Sequence, residues 1–211
     1  MPEVPVNIDP KLRTNISIKC SGIETRLYPE SEEMSILFLK EVLRPILHLA
    51  MQKGIGINLD MEQYDLKSII TQTAMNLFLE EEFKSYPHFG IVVQAYLKSS
   101  KDELISWKEY AKFRGVPVTI RLVKGAYLEY ERIKAEERGW VSPVFDTKRE
   151  TDINFEEMFY IFWNRLLTFD LHLEHIIFDR FPLFYIMLKI NPFWILKFKC
   201  YMEWPENTKL D

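Results

Sequence analysis

The sequence predicts an α/β fold in which parallel strands alternate with helices, and three observations support this prediction. Short apolar runs recur along the first 123 residues, separated by longer segments rich in Leu, Met, Glu and Lys. The apolar positions of the longer segments are spaced for one face of a helix. Each short run ends in, or is closely followed by, a polar or charged residue. Strands and helices that alternate at this spacing imply right-handed parallel crossovers.

The apolar runs define four predicted strands, at residues 15–19, 55–60, 90–95 and 116–123. They are rich in Ile, Val and Leu, which suit a pleated and buried surface. The predicted helices cover residues 32–53, 63–84, 101–114 and 129–138. Pro45 lies inside the first helix, and we expect it to kink that helix because proline lacks the backbone N–H.

The polar residues at the strand ends favour a barrel over an open sheet. They are Lys19, Asp60, Gln94, Arg121 and Lys124. In a parallel barrel these ends face one shared mouth. An open dinucleotide-binding sheet would need Gly-x-Gly-x-x-Gly after its first strand, whereas Gly54 and Gly56 flank the start of a strand and lack a third glycine. We therefore predict a partial (β/α)8 barrel of the TIM type with about four parallel strands.

Composition excludes several classes of protein. The 211 residues are 47% hydrophobic and 27% charged, as in a globular protein with one core. A net charge of -4 provides no broad basic field, so we expect no nucleic-acid partner. Cys20 and Cys200 show no metal-site or disulfide spacing, and the N-terminus does not resemble a secretory signal. These features indicate a cytoplasmic protein.

The composition changes at about residue 159, where an aromatic-rich segment begins. A membrane span would need about 18 or more nearly uncharged residues. Charged residues interrupt the segment at Asp179, Arg180, Lys189, Lys197 and Lys199. We therefore divide the chain into a partial barrel at residues 1–158 and an atypical hydrophobic tail at residues 159–211, which either packs on the barrel or aggregates.

The motif Arg-Leu-Val-Lys-Gly-Ala-Tyr at residues 121–127 closely resembles the signature of proline dehydrogenases, especially the barrel of the bifunctional proline utilization A enzymes. Further matches follow at residues 139–140, 143–145 and 151–152. Others precede it in the same order as in the family, at residues 16–19, 58–62 and 93–96. The resemblance covers roughly residues 14 to 158.

This resemblance implies a distorted β/α barrel that binds FAD and oxidises L-proline to 1-pyrroline-5-carboxylate. The bifunctional relatives also contain an L-glutamate gamma-semialdehyde dehydrogenase. The isoalloxazine carries the difficult chemistry, so the protein positions the ring, holds proline and stabilises reduced flavin. A quinone or another acceptor would reoxidise the flavin, and the full enzyme would contact the inner membrane face peripherally.

The resemblance also assigns roles at the barrel mouth. Arg121 corresponds to the family arginine beside flavin N5, where a permanent positive charge favours electron-rich flavin. Gln94 corresponds to a glutamine that hydrogen-bonds the flavin ring. Lys19 corresponds to a lysine that holds the proline carboxylate, and Asp60 to an acid beside that lysine and the flavin. We expect Lys19 and Asp60 to form an ion pair across neighbouring strands.

The turn after the fourth strand corresponds to a second group of cofactor contacts. Its residues Lys124, Gly125 and Ala126 match positions near the FAD ribityl and pyrophosphate groups, where small side chains and free N–H groups allow close approach. Tyr127 would wall the proline pocket. Lys148 and Thr151 match positions near the adenosine. The sequence departs from many relatives at Asp146, where they have threonine, and at Leu128, where bifunctional members commonly have tryptophan.

Three alternatives remain open at this point. Lys124 could form a Schiff base, as in aldolase barrels. His172 and His175 are three residues apart, but no further ligands accompany them and we expect no metal site. The third alternative is a non-catalytic remnant, since the Arg-Arg-x-x-Glu and Thr-His-Asn patterns of the family do not occur in this sequence. We accordingly expect a truncated or frame-shifted fragment that is inactive and marginally stable alone.

Overall fold

The computed structural model describes residues 14–166 and 176–178 of the chain. Within them, five parallel strands form one sheet in the order of the sequence. The strands are β1 (Asn15–Lys19), β2 (Gly56–Asp60), β3 (Phe89–Gln94), β4 (Thr119–Val123) and β5 (Ile176–Phe178). The strand order never reverses, unlike that of a doubly wound sheet, so the α/β fold with a partial barrel is confirmed. The short β5 was not predicted.

Helices connect the strands. They are α1 (Cys20–Ile23), α2 (Glu32–Lys53), α3 (Tyr64–Leu77), α4 (Ser100–Arg114), α5 (Leu128–Glu137) and α6 (Lys148–Leu166), and a 3-10 turn covers Pro29–Ser31. Helix α2 has the predicted bounds and continues without interruption through Pro45. Helix α6 was not predicted, and it crosses residue 158, where we expected the barrel part to end.

Helix α3 ends before the predicted limit of residue 84. Beyond Leu77 the chain forms short turns, in which Phe83 N–H and Lys84 N–H both donate to the Glu80 carbonyl at 2.9 Å. These turns bury the rings of Phe78 and Phe83 completely. The apolar residues at positions 78 and 83 are therefore spaced as in a helix because the turns bury them in the core, and not because the helix continues.

The sheet has one apolar face and one mixed, largely polar face. The residues buried on the apolar face include Ile57, Leu59, Ile91, Val93, Ile120 and Leu122, and they belong to the main hydrophobic core with residues of α2, α3 and α4. Because successive side chains on a strand alternate between faces, the residues between them occupy the opposite side. That opposite side includes Asn58, Asp60, Gly90, Val92, Gln94, Thr119 and Arg121. The helices thus cover one face, and the other remains available for a site.

Among residues 14–166, none of the helices is both long enough and apolar enough to cross a lipid bilayer.

Candidate active site at the carboxyl ends of the strands

The polar residues predicted at the ends of β1 to β4 lie on one face of the sheet. The register pairs that establish this are Lys19 with Asp60, Asn58 with Gly90, and Val92 with Arg121. Side chains two residues apart share a face, so Gln94 joins Val92. The structure therefore brings Lys19, Asp60, Gln94 and Arg121 together at one edge of the sheet.

The ion pairs at this edge differ from the expected Lys19–Asp60 pair. Asp60 instead accepts a hydrogen bond from Arg121 Nη2, which reaches it from β4 across β3. The strand between them presents the short side chain of Val92, which is level with Arg121. Lys19 turns to Glu62, with 3.8 Å between Nζ and Oε2. The length of the arginine side chain permits this contact across β3, and Lys19 pairs with the more buried Glu62 instead.

Glu62 is a site residue that our sequence analysis did not assign. It is 1% exposed, and its carboxylate accepts hydrogen bonds from the backbone N–H of Ser21 at 2.8 Å and from the Ser21 hydroxyl. It thereby joins the segment after β1 to the segment after β2. Its place two residues after Asp60, within the matched motif, was the available signal, but the sequence does not reveal that this carboxylate is buried.

Cys20 follows Lys19 and is fully buried. Burial raises the pKa of its thiol to about 12, and the nearby carboxylates of Glu62 and Asp60 act in the same direction. The thiol therefore stays protonated at neutral pH, so Cys20 is not a nucleophile in this site.

Gln94 and Arg121 carry buried polar atoms that have no partner within the described residues. Gln94 is 2% exposed, and its Nε2 lies 3.3 Å from the Glu62 carbonyl oxygen and 3.4 Å from that of Met61. Its Oε1 and the Nε of Arg121 are buried without a hydrogen bond. A buried acceptor and a buried donor are costly when unpaired. Together they fit a flavin ring, whose edge contains both donors and acceptors.

The turn after β4 packs closely on a neighbouring tyrosine. Gly125 has φ of 127°, and a Cβ there would lie less than 3.0 Å from ring carbons of Tyr96. Ala126 is exposed, whereas Tyr127 is half-buried against a small cluster formed with Tyr96. The turn therefore requires glycine at position 125, because a side chain there would collide with Tyr96 and would disfavour the backbone conformation.

An ion pair connects this turn to the start of α6. The Lys124 ammonium donates to Asp152 Oδ1. Lys148 is the exposed first residue of α6, and Thr151, 5% exposed, lies one turn further on. The ion pair therefore connects the turn to the start of α6, which contains both Lys148 and Thr151.

The alternative chemistries receive less support. Lys124 is held in an ion pair, which opposes its use as the free amine of a Schiff-base enzyme. In the part of the chain that the structure describes, no cluster of three or more His, Cys, Asp or Glu side chains could hold a metal ion. His172 and His175 lie outside the described residues.

Comparisons with known proteins agree on one family. The family model described as proline dehydrogenase matches residues 3–169, so the match extends beyond residue 158. The bifunctional protein PutA of Escherichia coli is 33% identical over 144 residues, which are 66% of this chain and 11% of that protein. Proline dehydrogenase 1 of Bacillus subtilis is 30% identical over 150 residues, which are 70% of this chain and 40% of that protein.

Solved structures give the same result. The crystal structure of proline utilization A from Bdellovibrio bacteriovorus, inactivated by N-propargylglycine, superimposes with a TM-score of 0.75 at 38% identity. The match covers 80% of this chain and 17% of the other. The structure from Corynebacterium freiburgense has a TM-score of 0.68 at 36% identity and covers 77% of this chain and 17% of the other.

The chain thus spans well under half the length of these relatives, but the matched part contains the strands and turns described above. The family model, the related sequences and the fold agree, and the chain belongs to the proline dehydrogenase family of oxidoreductases.

Proposed function

We propose that this chain carries the flavin-binding half of a proline dehydrogenase site, for the FAD-dependent oxidation of L-proline to 1-pyrroline-5-carboxylate. The observation that carries the proposal is the convergence of Lys19, Asp60, Gln94 and Arg121 on one face, with buried unpaired atoms on two of them. Bound FAD would supply the hydride acceptor. The protein's own residues would bind proline, orient the flavin ring and stabilise the negative charge of reduced flavin.

Arg121 and Gln94 would hold the flavin ring. The Nη2 of Arg121 contacts Asp60, and because the guanidinium is planar and rigid, this contact also restricts the direction of the unpaired Nε–H. A fixed positive charge favours the electron-rich reduced ring without reorganisation during the reaction. Gln94 would offer its unpaired Oε1 to a ring N–H and is neutral, so it adds no competing charge.

The remaining cofactor contacts would come from the turn and from α6. Backbone groups of residues 124–126 would accompany the ribityl and pyrophosphate groups, with the Lys124 ammonium nearby to balance their negative charge. Lys148 and Thr151 would lie towards the adenosine. Tyr127 would wall the proline pocket.

Lys19 would bind the proline carboxylate. Its side chain is 57% exposed, and its Nζ lies 3.8 Å from the Oε2 of Glu62. An arriving carboxylate would thus find a cation positioned by a buried acid. The full protein would be cytoplasmic, with peripheral contact at the inner membrane face. It would pass electrons from reduced flavin to a quinone or another acceptor.

A second candidate function is flavin binding without turnover. The observation in its favour is that Lys19 already faces a carboxylate, so only a weak net positive charge is offered to the substrate.

The two functions differ in their response to proline. The chain should be purified with FAD, its visible spectrum recorded, and proline added without oxygen. Proline dehydrogenase chemistry predicts bleaching of the bound flavin, and Arg121→Met should abolish it, whereas the matched control Arg138→Met, at an exposed site beyond α5, should not. Bound flavin that stays oxidised supports the second function. Failure of the purified chain to bind flavin would refute both, and borohydride trapping of a carbonyl compound on Lys124 would identify a Schiff-base enzyme.

A further inference from the structure

We propose that Tyr96 is a positioning residue that fixes the turn at residues 124–127. The inference deepens the proposed function and rests on it in one respect, since that function makes the turn a part of the cofactor site. The claim about the turn itself stands on the packing and hydrogen bonds around Tyr96.

The first observation is the contact between Tyr96 and Gly125. Tyr96 is 2% exposed, and several of its ring carbons occupy the space in which a Cβ of Gly125 would lie. Gly125 also has φ of 127°, which side-chain-bearing residues rarely adopt. The ring and the turn therefore fit each other closely, and each restricts where the other can lie.

The second observation is the pattern of backbone hydrogen bonds. The N–H of Tyr96 donates to the Lys124 carbonyl at 2.7 Å, and the Tyr96 carbonyl accepts from the N–H of Phe145 at 2.9 Å. On either side of it, Ala95 N–H donates to the Val123 carbonyl at 2.8 Å, and Leu97 forms an antiparallel bridge with Val144. The segment after β3 thus bonds to two other segments at once, the turn and residues 143–145.

The third observation is a small apolar cluster at this position. Tyr96 packs with Leu97 and Val144, and the half-buried Tyr127 and Leu128 pack against them. This cluster is separate from the main core of the sheet and helices. Tyr127 comes from the turn, Leu128 from the start of α5 and Val144 from the loop before α6. Burial of this cluster therefore stabilises the positions of these three segments relative to one another.

The same segment also holds α6. Asn154 is 4% exposed, and its Nδ2 donates to the Ala95 carbonyl at 2.7 Å and to the Ser100 hydroxyl at 2.8 Å. Helix α6 carries Lys148 and Thr151, the residues proposed to lie near the adenosine. The segment around Tyr96 is therefore a common support for both parts of the proposed cofactor site.

The ring of Tyr96 supplies most of this support. The buried hydroxyl forms no hydrogen bond of ordinary geometry within residues 14–166, and the nearby backbone of Tyr127 only weakly opposes the effect of burial on it. Burial raises the pKa of Tyr96 well above its ordinary value, and the carboxylate of Glu131 adds to this effect, so the phenol remains neutral. We therefore expect phenylalanine to replace tyrosine without loss of positioning.

The test is amide hydrogen exchange, measured by mass spectrometry on the full chain. We would compare Tyr96→Leu, Tyr96→Phe and Gly125→Ala with the matched control Tyr110→Leu, which truncates a tyrosine of similar burial in α4, 8% exposed. Tyr96→Leu should accelerate exchange about tenfold or more in peptides covering residues 124–128 and 143–145. Exchange in β2 should stay unchanged, and Tyr96→Phe should behave like the unmodified chain. Tyr110→Leu should accelerate exchange in the main core without this local pattern.

Gly125→Ala perturbs the contact between Tyr96 and Gly125 from the side of the turn. If Tyr96→Leu does not fold, this variant tests whether the contact fixes the turn. It should accelerate exchange over residues 124–128. The proposal is overturned if neither Tyr96→Leu nor Gly125→Ala changes exchange there, or if Tyr96→Leu accelerates exchange equally throughout the chain.

Flavin retention provides a second, separate measurement. If the chain binds FAD, Tyr96→Leu should raise the FAD dissociation constant about tenfold more than Tyr110→Leu does. Equal effects of the two variants would remove Tyr96 from the cofactor site. If the unmodified chain binds no FAD, the proposed function fails, while the exchange pattern still decides whether Tyr96 positions the turn.

Discussion

At the scale of single residues, buried polar atoms without a hydrogen bond are the clearest indication of what the site could bind. The neighbours of Gln94 satisfy its Nε2 only through long contacts of 3.3 and 3.4 Å, and its Oε1 has no partner among the described residues. A buried amide in this position costs stability in the absence of a ligand. Its retention is explained if a ligand with a hydrogen-bond donor occupies the mouth.

Gln94→Leu should therefore have opposite effects on stability and on flavin binding. Leucine has a similar volume and no polar atoms, so in the absence of flavin the free energy of unfolding should stay the same or rise by up to about 1 kcal/mol. The FAD dissociation constant should increase about tenfold, which corresponds to about 1.4 kcal/mol. Urea unfolding and a fluorescence titration with FAD would measure the two quantities.

The matched control is Gln72→Leu, on the exposed surface of α3, which should leave the FAD dissociation constant unchanged. A fall of more than about 2 kcal/mol in the stability of flavin-free Gln94→Leu would show that the amide is already satisfied by the protein.

At the scale of elements, the parts predictable from the sequence are those fixed by local pattern. Strand β1 and helix α2 have the predicted bounds, because alternation and helical spacing act over a few residues. Thr147, the residue before helix α6, and Glu150 in its first turn each accept a hydrogen bond from the other's backbone N–H. This capping box is visible in the sequence. We did not predict this helix, because its second half lies in the aromatic-rich segment that begins at about residue 159.

The candidate site shows the same division. The common face of Lys19, Asp60 and Arg121 follows from the parallel register and the two-residue period of strands. The strand register does not reveal the partner of Asp60. Lys19 lies on the neighbouring strand β1 and Arg121 reaches across β3, so the side-chain conformations decide which of the two cations contacts Asp60. The proposed roles of these residues, and of those on the turn and α6, remain predictions.

The end of α4 allows a prediction about an element boundary. Gly115 caps the helix with φ of 73°, and no atom lies within 4 Å of the position where a Cβ would be. Gly115→Ala should therefore lower the free energy of unfolding by about 1 to 2 kcal/mol, entirely through the cost of the left-handed conformation. Gly115→Asn should cost less, because asparagine tolerates that conformation better.

Urea denaturation would measure both variants. Gly22→Ala is the control, since Gly22 lies in helix α1 without a positive φ and an added methyl group would meet only the Lys19 Cβ at 3.9 Å. That change should be neutral or slightly stabilising. Equal losses in Gly22→Ala and Gly115→Ala would contradict the conformational explanation.

At the scale of the whole molecule, the two sides of the sheet contain acids in different environments. On the largely polar face, the partly exposed Asp60 and the buried Glu62 are matched by cations or hydrogen-bond donors. On the helical side, Glu103 is 7% exposed among the residues of α4, with Lys67 of α3 at 3.1 Å from its Oε2. Burial raises the pKa of Glu103 above its ordinary value, and the attraction of Lys67 only partly opposes this.

This buried acid predicts how stability depends on pH. The folded chain holds the Glu103 proton more tightly than the unfolded chain, in which the pKa is near 4.5. The contribution of Glu103 to the free energy of unfolding is therefore greatest below that pH, and it declines as the pH rises through the raised pKa of the folded state. Glu103→Gln should remove this part of the decline.

Urea unfolding of the full chain between about pH 4.5 and pH 8 would measure the effect. Glu109→Gln, at an exposed position on the same helix, should retain the pH profile of the unmodified chain and serves as the control. Parallel profiles for the unmodified chain and Glu103→Gln would mean that the Lys67 ammonium compensates fully for burial. In that case the helical side of the sheet, like the opposite face, would hold only balanced charges.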